Sequence, residues 1–153
     1  MTRAYATGTR VSVEKTRSEI AGMLGRFGAS HYAFGTEPGH DIVAFRLSER
    51  QFKFTVMHPT WEEVAKGYKD PSRVLDRKAA VDNELARRWR ARLLWLKATL
   101  EFVGEEGADP ADYLLPFLML PDGMTMGEWA MPQVERMYTT GKMPPLLGSG
   151  NGK

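Results

Sequence analysis

Between His31 and Met57 apolar residues recur at every second position, whereas on both sides of that stretch they recur every three or four. A period of two belongs to strands with one buried face, and a period near 3.6 to amphipathic helices, so the chain must hold both. The alternating stretch divides twice. Pro38-Gly39 suits the two central positions of a type II turn, and Ser48 to Arg50 is a short polar connection. Strands are therefore expected at 31–37, 41–47 and 51–57. The fold class is α+β, with an N-terminal helix, a three-stranded antiparallel meander, then a long helix and a helical C-terminal half.

The helices follow from caps and stripes. Ser12 is a fitting N-cap for a first helix to about Phe27, where Val13, Ile20, Met23, Leu24 and Phe27 share one face and Gly28 suits the C-terminal end. Thr60 with Glu63 forms a capping box before Trp61, Val64 and Tyr68. Asp70-Pro71 opens the longest helix, expected to run to Val103 before Gly104 and Gly107. Asp109-Pro110 repeats that signal for a brief helix limited by Pro116, and Thr125 with Glu128 caps the last one, ending near Gly141. The segment from Met143 through Leu147 carries two prolines and is expected to be extended.

A length of 153 residues suits one domain, expected over 12–147, with loose ends at 1–11 and 148–153. Hydrophobic residues at 42% and charged residues at 26% suffice for a packed core and argue against disorder. No apolar run approaches the roughly 20 residues of a spanning helix, and Met1 to Arg10 lacks the apolar core of a secretory signal. Zero cysteines exclude disulfides, thiolate nucleophiles and cysteine-type zinc sites. A cytoplasmic location without membrane contact is the expectation.

If the two turns close as written, Glu37 lies opposite His40, and His40 opposite His58. One sheet face then carries Tyr32, Phe34, Val43, Phe45, Lys53 and Thr55, and the other Ala33, Ile42, Ala44, Arg46, Phe52, Phe54 and Val56. The Phe52/Phe54/Val56 side reads as core. The side with Tyr32, Phe34, Phe45 and Lys53 is either a base-stacking platform or a face covered by a second helix. A slip of one residue would exchange these sets.

On the long helix Leu85, Trp89, Leu93, Leu96, Leu100 and Val103 form the apolar stripe. Arg87, Arg90 and Lys97 fall on one flank, Arg88 and Arg92 on the other, with Leu94 and Trp95 outside the stripe. Cations beside an exposed indole are the combination that single-strand binders use, the cations on phosphates and the ring on a base. Arginine and tryptophan are also favoured at protein interfaces, so an oligomer contact or a plain solvated face has the same appearance. Asp76, Asp82, Glu84 and Glu101 dilute the basic character, and the net charge is only +2.

Enzyme signatures are weak. Glu37, His40 and His58 would be the minimum for a facial metal triad, but their spacing matches no motif. No phosphate-binding glycine loop, nucleophile elbow or HExxH helix occurs, so no metal or cofactor is expected.

The stretch Leu120-Pro121-Asp122-Gly123-Met124-Thr125-Met126-Gly127-Glu128-Trp129, continued by Thr140-Gly141-Lys142-Met143-Pro144-Pro145-Leu146-Leu147, is the most distinctive in the chain. With the preceding Arg87-Arg88-Trp89-Arg90 it resembles a group of small proteins encoded by phages and prophages. That resemblance implies a genomic setting and no particular activity. Two functions compete. One is a nucleic-acid-binding accessory protein of a phage replication, recombination or regulation module, favouring single-stranded DNA. It would act through Arg87, Arg88, Arg90, Arg92, Trp95 and Lys97, with Tyr32, Phe34 and Lys53 on the sheet. The other is a non-enzymatic inhibitor of a host or defence protein, which requires an exposed apolar or methionine-rich patch. A homo-oligomer is compatible with both.

Overall fold

The computed structural model describes residues 11–143. Helix α1 (Val13–Arg26) starts at the Ser12 hydroxyl, which accepts from Lys15 N, and is followed by strands β1 (His31–Glu37), β2 (His40–Leu47) and β3 (Arg50–Met57). Helix α2 (Trp61–Ala65) and a single 3-10 turn at Pro71–Arg73 lead to the long helix α3 (Arg77–Glu106). A short α4 (Pro110–Leu114), a 3-10 turn at Leu115–Phe117 and α5 (Met126–Thr140) complete the chain. The expected α+β class and its order of elements are those observed.

The sheet is antiparallel in the order β1-β2-β3. Its first pairing is the expected one, Glu37 opposite His40. The second differs by one residue: His40 lies opposite Met57, not His58, and Phe45 opposite Phe52. The cause is a two-residue turn where three were expected. Ser48 and Glu49 both adopt left-handed backbone angles (φ 50° and 63°), and that geometry matches the twist of a tight hairpin. Neither residue is the glycine or asparagine that usually announces such a turn.

One residue of register reverses the face assignment for β3. Val43, Phe45, Phe52, Phe54 and Val56 share one face and are all buried, joined there by Phe34. The other face carries Ala33, Gly35, Ile42, Ala44, Lys53 and Thr55 and holds no fully buried residue. Both α1 and α3 pack on the first face, bringing Ile20, Met23, Leu24, Trp89, Leu93, Leu96 and Leu100 into a single core. Burying side chains of this size contributes about 1.5–3 kcal/mol each before conformational entropy is subtracted. The fold is therefore two-layered, with one face of the sheet open.

The long helix begins later than expected. Asp70-Pro71 makes only one turn, because Val74 is extended and Asp76 supplies a second cap, accepting from Ala79 N. The helix also runs past Gly104, which faces the Phe27 ring, to a left-handed Gly107. Beyond α4 the chain adds a short bridge to the outer edge of β3, where Met119 N donates to Gln51 O at 2.8 Å. The Leu120–Met124 turn closes with Leu120 N donating to Met124 O, and α5 begins at the Thr125/Glu128 capping box. Its first turn sits on the Leu115–Phe117 turn so closely that a Cβ at Gly127 would come within 2.9 Å of Pro116 O. Of the segment expected to be extended, all but Met143 lies outside the described residues.

Candidate binding surfaces and a buried carboxylate network

The Arg-rich helix divides as its periodicity predicts, but its cations are engaged. Arg87 donates through Nε and Nη2 to the two oxygens of Glu84 at 2.8 and 2.7 Å. On the same flank Arg90 reaches Glu19 of α1 at 2.6 Å, and Lys97 stands 3.9 Å from Glu101. On the other flank Arg88 bridges Met57 O, Glu63 and Glu84 at 3.0, 2.8 and 3.3 Å. These contacts lower the Glu84 pKa, the Arg87 hydrogen bond most of all, and raise that of Arg87. A phosphate approaching Arg87, Arg88 or Arg90 would have to displace a carboxylate already in place.

Arg92 differs. It has no carboxylate within ion-pair distance among the described residues, and its guanidinium carbon lies 5.8 Å from the centroids of both Phe54 and Trp95. Burial lowers its pKa. Trp95 does not stand free among the bases as expected. It packs edge-on against Phe54 at 5.6 Å and at a tilt against Phe117 at 4.9 Å, because the Leu115–Phe117 turn folds over it.

The sheet platform also differs from expectation. Phe34 is half-buried on the helix-covered face, 6.2 Å from the Trp89 ring, and Phe45 stacks on Phe52 within the core. Lys53 lies on the opposite face and donates to Gly123 O at 3.0 Å. Only Tyr32, at the edge, keeps an exposed ring. Tyr32 and Phe34 thus share a face with Val43 and Phe45 as expected, and it is the helix-covered one, whereas Lys53 lies on the other. The displacement of Lys53 is the direct result of the tighter second turn.

The histidine–carboxylate triad is not assembled either. His40 Nε2 pairs with Glu37 at 3.2 Å, but His58 turns inward, away from them, onto Asp41. No cluster of three metal-ligating side chains occurs among the described residues.

Asp41 is the residue that sequence reasoning missed. Only 3% exposed, it occupies the same face as Val43, Phe45 and Leu47. Its Oδ1 accepts from Thr36 Oγ1 and His58 Nε2, and its Oδ2 from Trp89 Nε1, each at 2.9 Å. Arg17 Nη2 stands 3.3 Å away, its guanidinium 4.8 Å over the Trp89 ring. Because an ionised carboxylate only accepts, His58 carries its proton on Nε2. Burial pushes the Asp41 carboxyl up, and the hydrogen bonds from His58, Trp89 and Thr36 outweigh it, leaving the pKa lowered. The signal was present: an aspartate in phase with the buried positions of β2 needs partners. An Asp–His pair can orient an imidazole as a base, but neither Asp41 nor His58 lines the clefts beside Phe27 and Leu100 and at the end of α5. The network joins α1, all three strands' neighbourhood and α3 at one buried charge.

The C-terminal part offers the contrasting surface. Helix α5 buries no residue completely, and Met124, Trp129, Met131, Tyr138 and Met143 are all exposed. A cleft of about 190 Å³ lies among Gln133, Arg136, Met137, Thr140, Lys142 and Met143. No helix is long and apolar enough to cross a membrane among the described residues. No protein-family model, curated protein sequence or solved structure matches the chain.

Proposed function

We propose that the chain is a non-enzymatic protein-binding module that docks through the exposed apolar side of α5 and the turn before it. The observation that supports this reading most is the exposure of Met131 and Tyr138 (52% and 87%), seven residues apart and so on one side of a helix that buries nothing fully. Apolar side chains grouped in this way mark binding surfaces, and methionines adapt readily to a partner's shape. Of the two functions weighed from the sequence, the inhibitor type is the one that requires such a patch. A host or defence protein is the partner class that fits the resemblance to small phage proteins. In pull-downs from host lysate, a partner captured by the intact chain should be lost by Met131→Ser with Tyr138→Ser and retained in raised salt. Equal capture by that double variant would remove α5 from the interface.

Nucleic acid is the second reading, favoured by Arg92, whose desolvated guanidinium has no acidic partner among the described residues, with the loosely paired Lys97 further along α3. Here affinity for labelled single-stranded DNA must fall steeply across a salt series, and Arg88→Glu with Arg92→Glu must abolish it. Binding unchanged in that variant would dismiss the helix as the contact.

A further inference from the structure

We infer that the open edge of β1 is a self-pairing surface, joining two copies of this chain antiparallel through β1 into a continuous six-stranded sheet. It is an inference independent of the α5 reading. β1 is the terminal strand of the sheet, and neither isolated bridge among the described residues involves it. The opposite edge, by contrast, is covered at Gln51 and Phe52 by Leu118 and Met119. Natural edges are usually blunted by proline, a bulge, an inward charge or a covering segment. β1, His31-Tyr32-Ala33-Phe34-Gly35-Thr36-Glu37, has no proline, and its pairing with β2 is unbroken from His31 to Glu37.

The register follows from the hairpin. The two-residue turn makes Glu37 and His40 exchange backbone hydrogen bonds, so Gly35 and Ala33 likewise bond β2, in alternation. Tyr32, Phe34 and Thr36 therefore direct their N–H and C=O groups to the free edge. A two-fold axis through Phe34 pairs Phe34 with itself and Tyr32 with the second copy's Thr36, and every outward group finds a partner. The same axis sets His31 opposite the second copy's Glu37 on the open sheet face. The strand is self-complementary in this register, with His31 at one end and Glu37 at the other, while Arg46 beside His31 is already paired with Glu49 at 2.6 Å. The groups that remain for the contact are His31 Nε2, since Nδ1 already meets Ser30, and Glu37 Oε1, since Oε2 already meets His40. Small Ala33 and Gly35 face each other beside them, leaving no steric obstacle. Across the other face, Tyr32 gains cover for its exposed ring.

Sedimentation of the full chain across a concentration series is the test. Dimers are expected, and Tyr32→Pro should weaken them at least about tenfold, because it deletes an outward N–H and introduces a ring at the junction. The substitution spares pairing with β2, so an unchanged circular dichroism spectrum, and an unchanged melt at concentrations where the original chain is monomeric, should accompany the loss. A second variant fixes the register: in a chain without cysteines, Phe34→Cys should cross-link to its own copy under oxidation, while Ala33→Cys should not. A monomer at every concentration would overturn the inference. So would a dimer indifferent to Tyr32→Pro, which would place self-association at another surface such as α5, or cross-linking equal at positions 33 and 34.

Discussion

The layer formed by α1, the sheet and α3 and the segment from Leu115 to Thr140 are held by opposite means. In the first, Trp89, Phe52, Ile20 and Leu96 are fully buried and a charge is enclosed by four donors. In the second, α5 rests on one turn through Gly127 and fastens to β3 by the Leu118–Met119 bridge, burying none of its own residues. The layer supplies stability, and the appended helix supplies surface. Substitutions should separate the two, the layer registering in global unfolding and the helix in local opening and binding.

The largest effect is expected from Asp41→Ala. It strands Arg17, His58 and Trp89 without their acceptor, and breaking a buried charged network costs about 3–5 kcal/mol. Urea denaturation measures it, and a loss under about 1 kcal/mol would mean that water replaces the carboxylate. The same group sets an acid limit. Its native pKa is lowered from 3.8, so its contribution is present above that ordinary value and lost as pH falls through the depressed one. Asp41→Asn should flatten that part of the stability–pH curve. Next, Leu100→Ala opens a core void beneath α1 and α3, at a cost of about 2–5 kcal/mol in the same assay.

Thr125→Ala tests the second region. Removing this cap costs about 1 kcal/mol, and the loss should appear as faster amide exchange in the first turns of α5 while the melting of the layer stays in place. A cooperative drop of both would show that α5 and the layer unfold together. Smallest of all, Tyr138→Ser should leave stability within about 0.5 kcal/mol and act only on partner capture.

The sequence revealed the layer better than the surfaces. The stripe from Val13 to Phe27, the alternation over His31 to Met57 and the Trp89 to Val103 stripe identify every large core element, because burial imposes a period that composition cannot hide. What remained illegible turned on two local choices. Ser48-Glu49 closes a left-handed two-residue turn that carries no glycine, so the second register differs by one and Lys53 falls on the face opposite Tyr32 and Phe34. The Leu115–Phe117 turn then covers Trp95, a long-range contact with no periodic signature. The pairing of Arg87, Arg88 and Arg90 was partly visible: Glu84 lies three and four residues before Arg87 and Arg88, at helical-neighbour spacing. Glu19 and Glu63, on other elements, were not.

The indole of Trp89 meets Asp41 across 48 residues of chain. A nascent chain that has formed α1 and the meander but not yet α3 therefore holds an aspartate on an apolar sheet face short of one donor. Enclosing that charge and docking α3 become a single event on the folding pathway, and the sheet face must stay wet until it happens. The late step should be visible as the burial of Trp89, and any variant that delays it would leave the Phe45/Phe52/Phe54 surface open to aggregation.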